Sequence, residues 1–241
     1  MKVVLCGANG AMGKLIDEIL GAECVGRVSI DGEINVPKTF DELGIVDADV
    51  VIDFSHHSAI ADVMAYAKKI NAAVVVGTTG HTEEEKALID AASKELPVFF
   101  TGNVSMGIAV LCRLAKQAAA FFPDADIEIV ETHHTRKVDA PSGTALMLYN
   151  AIKEVRPNAT ANCGRSGEGK RTKDEIGIHA LRLGHVVGIH EVHIHTGNQS
   201  LKLTHESGSR AMLADGAVAA ARFMEGKGKG LYNMEDVLNQ M

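Results

Sequence analysis

Cysteine is scarce in this 241-residue chain: Cys6, Cys24, Cys112 and Cys163 are scattered, and no two stand in Cys-x-x-Cys spacing. That scatter argues against a disulfide framework or a zinc knuckle and fits a reduced, cytoplasmic setting. Long apolar runs are missing too. None reaches the roughly 18 to 20 residues of a membrane span, and the N-terminus lacks the charged, apolar and small-residue order of a signal peptide, so no membrane partner is expected. Basic residues are not in excess: 24 Lys and Arg face 31 Asp and Glu, a formal charge of -7. A nucleic-acid partner needs clustered cations to neutralise phosphates, so none is expected. There is no internal repeat and no low-complexity tail. What remains is ordinary globular composition, 46% hydrophobic and 23% charged, enough for one large domain or two modest ones.

The opening stretch "KVVLCGANGAMGKLIDEIL" runs from apolar residues through glycines into helical spacing (Met12, Leu15, Ile16, Ile19, Leu20), which predicts strand, tight turn and helix. "ECVGRVSI", "ADVVIDF", "AAVVVGTT" and "PVFFTGN" predict four more strands. Helices are expected between them, one opened by Thr82 and Glu85 at capping-box spacing. Continuous Val, Ile and Phe runs alternating with helices imply strands buried on both faces: an α/β, Rossmann-type, doubly wound parallel sheet. After Asn103 the texture changes. A long helix ("MGIAVLCRLAKQAAAFF"), an alternating strand ("DIEIVETHH") and a helix from "PSGTAL" precede a glycine-rich charged loop, "GRSGEGKRTKDE". Three strands ("IGIHALRLG", "HEVHIHTG", "QSLKLTHES") then predict a second, smaller α+β domain with a mixed or antiparallel sheet. The expected division is 1–104 for dinucleotide binding, 105–210 for substrate binding and oligomerisation, and 211–241 as a C-terminal helix packing back on the first domain.

Three constellations carry chemistry. Gly7-Ala8-Asn9-Gly10-Ala11-Met12-Gly13 joins the first strand to its helix with Gly-x-x-Gly-x-x-Gly spacing. Glycines there permit a tight turn and close approach of a pyrophosphate to helix N–H groups; a bare strand-helix turn would read the same way, but the N-terminal strand-helix context favours a dinucleotide. Gly77-Thr78-Thr79-Gly80 and Thr101-Gly102-Asn103-Val104 end the fourth and fifth strands, where an open α/β sheet presents ligands. Ser29 stands at the tip of strand two, where an acid would select NAD. Asp31, two residues on, is either a ribose acceptor or a solvated turn residue, and Lys14 and Arg27 are candidate cations for a 2′-phosphate. Both NADPH and NADH are therefore expected to serve, NADPH modestly preferred.

The third is "ETHHTRKVDAPSGTA", from Glu131 to Ala145. His133 and His134 point to opposite faces of a strand. Lys137 follows in a segment that Pro141 keeps non-helical, and Ser142-Gly143-Thr144 opens a helix whose N–H groups suit a carboxylate. A proton donor, a cation and an anion-binding turn together suit a small anion. His179, His190, His193, His195 and His205 invite a metal reading, but alternation along a wet sheet face explains them, and no metal is expected. His56 and His57 are expected to line the cleft or solvent.

In order along the chain, "GANGAMG", "VVIDFS", "VVVGTTG", "GNVSMGI", "IEIVETHHTRKVDAPSGTAL", "EIGIHALRLG" and "HEV" resemble the dihydrodipicolinate reductases, also called 4-hydroxy-tetrahydrodipicolinate reductases. The resemblance spans essentially the whole chain. It implies NAD(P)H-dependent reduction of a small dicarboxylate in lysine and diaminopimelate synthesis, and a homotetramer. By position it implies His133 as proton donor and Lys137 as second catalytic group, with His134, Gly143 and Thr144 binding substrate. The three glycine- and threonine-rich segments would hold the nicotinamide nucleotide. The sequence departs from many members at Ala11 (arginine there), Ser29 (an acid there), Arg182-Leu183-Gly184 (for "RGG") and Gly188-Ile189-His190-Glu191-Val192 (for "GEHEV"). The alternatives are another NAD(P)-dependent oxidoreductase of this architecture, such as a homoserine or aspartate-semialdehyde dehydrogenase relative, or a nucleotide-binding sensor without turnover.

Overall fold

A computed structural model describes residues 1–30 and 36–241, which form two compact units, Met1–Ser105 with Ala211–Met241, and Met106–Arg210. In the first unit the elements are β1 (Val3–Cys6), α1 (Ala11–Leu20), β2 (Cys24–Val28), α2 (Phe40–Leu43), β3 (Val50–Asp53), α3 (Ile60–Ile70), β4 (Ala73–Val76), α4 (Glu83–Ser93) and β5 (Pro97–Phe100). The second unit holds α5 (Met106–Phe121), β6 (Asp126–His133), α6 (Gly143–Lys153), β7 (Thr160–Cys163), β8 (Glu175–Arg182), β9 (Ile189–Thr196) and β10 (Gln199–Glu206). The chain then returns to the first unit as α7 (Ala211–Met224), β11 (Gly230–Tyr232) and α8 (Met234–Gln240).

The first sheet has the order β11-β5-β4-β3-β1-β2, and every pairing is parallel. All residues of β1, β3 and β4 are buried, because helices cover both faces. Val4, Cys6, Val51, Val74, Val76 and Val98 pack with Ile60, Val63, Ala67 and Ile89 of α3 and α4. The alternate residues look the other way, towards α1 and α7, which pack on each other. The sheet is Rossmann-type and doubly wound. Thr82 and Glu85 form the expected capping box: Glu85 N donates to Thr82 Oγ1 at 3.2 Å, and Thr82 N to Glu85 Oε2 at 2.8 Å.

The second sheet is mixed, in the order β10-β9-β6-β8-β7. β6 pairs with β8 in parallel and with β9 antiparallel, so β8 and β9, consecutive in sequence, lie on either side of β6. Parallel pairing of β6 and β8 requires a long crossover, which α6 and β7 provide. Period-two alternation turns Ile127, Ile129, Ile176, Ile178, Val192 and Ile194 towards Leu111, Ala115, Leu148 and Ile152 of α5 and α6. Each fully buried isoleucine contributes about 1.5–3 kcal/mol to this core. Glu128, His179, Glu191, His193 and Lys202 occupy the opposite face, where His179 Nε2 lies 2.8 Å from Glu128 Oε2 and Lys202 pairs with Glu191.

The short elements α2, β7, β11 and α8 have no counterpart in the sequence-based expectation. β7 is mostly exposed and polar, and β11 is a three-residue edge strand, so neither shows the burial-driven alternation by which a strand is recognised.

Candidate functional site

In the first unit the strand order reverses at β1, whose neighbours are β2 and β3; ligands of open α/β sheets bind outside the carboxyl ends of strands at such a point. A pocket of about 490 Å³ opens there, lined by residues that include Cys6, Gly7, Val28, Ser29 and Ser55. Gly7 has φ +83, and a Cβ on it would stand 2.2 Å from the backbone oxygen of Phe54. Gly13 lets α1 lie against the loop: a Cβ there would be 2.1 Å from Gly7 O. Gly7 N and Ala8 N donate to Val28 O at 2.8 and 3.2 Å, and Gly10 N donates to Gly7 O at 3.0 Å. Those amides hold the loop. Gly10 gives α1 no side-chain cap, so the first-turn amides of Ala11, Met12 and Gly13 suit a phosphate. The loop and helix start therefore fit a dinucleotide. Asn9 and Met12 are half-buried beside it.

The other two nucleotide segments are braced from within. Thr78 is buried, and its Oγ1 accepts from Ser55 N at 3.0 Å, tying the end of β4 to the turn after β3; Gly77 is half-buried and Thr79 exposed. Thr101 Oγ1 donates to Asn103 O at 3.0 Å, Asn103 Oδ1 accepts from Ser105 N at 2.8 Å, Val104 is buried, and Gly102 is exposed. Arg27 is not available as a phosphate partner. Its Nε lies 2.9 Å from both carboxylate oxygens of Asp17, and its Nη2 2.6 Å from Oδ1, because the alternation of β2 turns it towards α1. Lys38 and Lys69 line the pocket instead, together with Asp41 and Asp62. Asp31 lies outside the described residues.

The second unit builds its polar site at one end of its core-facing sheet surface. Ile127 and Ile129 are followed on the same face by Glu131 and His133, Ile176 and Ile178 by Arg182, and Val192 is preceded by His190. Strand registry brings these ends together: His133 pairs with Arg182 across β6 and β8, and Glu131 with His190 across β6 and β9. Glu131 is fully buried. Its Oε2 lies 2.6 Å from His133 Nδ1 and accepts from Arg182 Nη1 at 2.9 Å; its Oε1 accepts from Arg182 Nη2 at 2.9 Å and Ser142 N at 3.0 Å. Burial pushes the Glu131 carboxyl up, but the hydrogen bonds from Arg182 and His133 outweigh it and hold the group below the ordinary carboxylate value.

One expected donor is spent by this arrangement. The Ser142 amide belongs to Glu131, not to a ligand, because the carboxylate sits directly above the start of α6. Ser142 Oγ caps α6 by accepting from Ala145 N at 3.2 Å and lies 3.2 Å from His190 Nε2. Gly143 is exposed at the helix start, and Thr144 is half-buried. Lys137 Nζ lies 2.8 Å from Asp139 Oδ1, four residues past the strand that carries His133. His134 is partly buried, and its proton affinity is lowered by burial first and then by Arg136 and Arg210. Burial, with His133 beside it, pushes His190 down to about 4. His133, His134, Lys137, Gly143 and Thr144 all belong to the second unit, on β6, in the segment after it and at the start of α6. Among the described residues no group of three or more His, Cys, Asp or Glu converges as a metal site.

Glu131, Arg182 and His190 were not marked as site residues by motif reading. The available signal was patterning: an acid, an arginine and a histidine each occupy the core-facing register of a strand whose other core-facing residues are aliphatic.

Two family models cover this chain: "Dihydrodipicolinate reductase, N-terminus" matches residues 1–104, and "Dihydrodipicolinate reductase, C-terminus" matches residues 107–238. The chain belongs to the dihydrodipicolinate reductase family. A 4-hydroxy-tetrahydrodipicolinate reductase from Clostridium novyi (strain NT) is 42% identical over 98% of this chain and 98% of its own length. The protein of the same name from Methanospirillum hungatei JF-1 is 40% identical, with 99% of each covered. Among solved structures, dipicolinate-bound dihydrodipicolinate reductase from Paenisporosarcina sp. TG-14 superposes with a TM-score of 0.81 at 25% identity, covering 98% of this chain and 99% of that one. An amine dehydrogenase from Mycobacterium smegmatis, 11% identical with a TM-score of 0.65 and covering 98% of this chain and 95% of that one, shares the fold alone. The C-terminal family model runs on through α7 and into α8, which in space belong to the first unit. The chain is an oxidoreductase, a reductase of this family, with a nucleotide-binding Rossmann-type unit that takes NAD(P)H.

Proposed function

We propose that this reductase converts 4-hydroxy-tetrahydrodipicolinate to tetrahydrodipicolinate with His133 as the proton donor, in the route to diaminopimelate and lysine. The observation that carries the assignment is the imidazole of His133, held by a buried carboxylate beside a lysine and the start of α6. A bound NAD(P)H supplies the hydride. Gly7, Ala8, Asn9, Gly10, Ala11 and Met12, with Gly77, Thr78, Thr79, Thr101, Gly102, Asn103 and Val104, would hold it. The substrate loses its 4-hydroxyl as water, and hydride arrival at the ring carbon pushes electrons through the conjugated imine. His133 protonates the neighbouring carbon, so one hydride and one proton enter as one water leaves. Lys137 exchanges Asp139 for a substrate carboxylate and stabilises the developing negative charge, while His134, Gly143 and Thr144 seat the dicarboxylate.

NADPH is the modestly preferred cofactor in this reading. The assembly is a homotetramer built through the second sheet, whose outer face and edge strand β10 an isolated subunit leaves uncovered. Cys6, Cys24, Cys112 and Cys163 form no disulfide among the described residues, which fits work in the cytoplasm. The test follows NAD(P)H oxidation with substrate made in situ by the preceding synthase, with light scattering of the same sample. Turnover by a species of four subunits is expected; a nucleotide-binding protein that oxidises no NAD(P)H under these conditions would instead be a sensor.

A further inference from the structure

A proton donor needs one ring nitrogen to deliver the proton and the other to be fixed, or the imidazole presents the wrong tautomer. Three features of the second unit bear on which nitrogen of His133 is which. Nδ1 lies 2.6 Å from Glu131 Oε2, an oxygen already receiving Arg182 Nη1. The carboxylate has little freedom to turn, because its other oxygen accepts from Arg182 Nη2 and from Ser142 N, the N-cap of α6. Arg182 is itself anchored, donating through Nη2 to Asp139 O at 2.6 Å. At the far edge of the ring, Nε2 faces Gly188, where a Cβ would stand 3.0 Å away. That side of the imidazole is kept clear by the lack of a side chain.

We propose that Glu131, clamped by Arg182, is a positioning residue that accepts a hydrogen bond from Nδ1–H of His133, keeps the proton on that nitrogen, and so assigns proton delivery to Nε2. This rests on the reading of His133 as proton donor and extends it from one residue to a buried unit of three. Glu131 is spent on four hydrogen bonds inside the protein, and its work is done through the imidazole. The neighbouring ring of His190 stands edge-on, 5.1 Å away centroid to centroid, with Nε2 turned to Ser142 Oγ. Its low proton affinity keeps it neutral beside His133, so it does not compete for the proton.

The variants are Glu131→Gln, which keeps the shape but offers Nδ1 an amide, and the double variant Glu131→Gln/Arg182→Met, which removes both buried charges together. Each is measured for kcat, substrate KM, NADPH affinity by fluorescence, melting temperature and the ¹⁵N imidazole signals of His133. Glu131→Gln is expected to lower kcat on the order of 10²-fold, the low end of what a general acid contributes, because the ring stays in place but presents the wrong tautomer. KM and NADPH affinity should stay within a few-fold, and the Nδ1–H signature should disappear. The double variant should regain melting temperature without regaining kcat, separating positioning from folding. Unchanged His133 signals in Glu131→Gln, or full kcat in either variant, would overturn the proposal. His133→Gln is assayed alongside. If it turns over normally, both the donor role and the positioning role fall; if it is inactive while Glu131→Gln is fully active, only the positioning role falls.

Discussion

Among the described residues two carboxylates are completely buried, Asp53 in the first unit and Glu131 in the second, and their chemistry runs in opposite directions. Asp53, at the end of β3, has Ser55 as its hydrogen-bond donor at Oδ1, and its Oδ2 has no partner. Burial therefore pushes its carboxyl up, and the hydrogen bonds from Ser55 do not make up the difference. Glu131 meets the same burial but also a guanidinium and an imidazole, and it is held below the ordinary value. Among the described residues the first unit buries no lysine or arginine, and its glycine loop offers backbone amides and small side chains. The second unit builds a charged cluster into the end of its core. A cofactor shared by many folds needs geometry, whereas a proton transfer needs a fixed ionic environment around one ring.

The sharpest way to break this contrast is to remove the ring. His133→Gln is expected to lower kcat by about 10²–10⁴-fold, with substrate affinity changed far less, because general acid catalysis acts on the transition state. Steady-state kinetics with the synthase-coupled assay reads this directly. Normal turnover would return the second unit to a binding role alone.

Next in size is a pH effect centred on the second unit. His190 keeps its proton off in the folded state down to about pH 4, whereas the unfolded chain takes one up near 6.5. Between those values the unfolded state binds more protons, so stability is full above about pH 6.5 and is lost as pH falls towards 4. The shift from 6.5 to about 4 corresponds to roughly 3 kcal/mol at most. The depressed Glu131 adds a further loss as pH drops through its folded value, while Asp53, shifted the other way, favours the folded state at low pH. Urea unfolding at a series of pH values, beside His190→Gln, separates them. The same slope in both proteins would show that His190 is not the group responsible.

In the first unit the corresponding test is steric. Gly7→Ala places a methyl 2.2 Å from Phe54 O at φ +83, a region that L-residues reach only at a cost of about 1–2 kcal/mol before any clash. A loss of roughly 2 kcal/mol or more in stability, with NADPH affinity weakened at least tenfold, is expected in calorimetry and titration. Wild-type affinity would mean that the loop is only a turn.

How much of this was legible in the sequence follows the same division. Gly7 and Gly13 act through their own backbone, so spacing along the chain was enough to find them. β1, β3 and β4 announce themselves because burial on both faces leaves continuous apolar runs. Glu131, Arg182 and His190 act through partners on three strands, up to 59 residues apart in sequence, that only sheet registry brings together. Arg27 shows the converse: its position beside the nucleotide loop suggested a phosphate partner, but Asp17 on α1 takes it.

The smallest effect concerns which nucleotide the first unit prefers. Ser29 is buried at the end of β2, its N–H donates to Pro37 O at 2.9 Å, and its side chain lines the pocket without the negative charge that NAD-selective sites place there. Lys38 and Lys69 on the rim attract a 2′-phosphate, while Asp41 and Asp62 on the same rim oppose it. Two charges of each sign at an open, solvated rim largely cancel and are screened within about 10 Å at ordinary salt, so a preference of a few-fold for NADPH is expected. Ser29→Asp adds a carboxylate that repels the phosphate and accepts from the ribose hydroxyls, and should turn the preference towards NADH. The measurement is kcat/KM for both nucleotides in one buffer, for the wild type and Ser29→Asp, repeated at raised salt, where the wild-type preference should shrink. If NADH is already favoured and Ser29→Asp changes nothing, the ribose lies elsewhere and the lysines of this pocket have no part in choosing the cofactor.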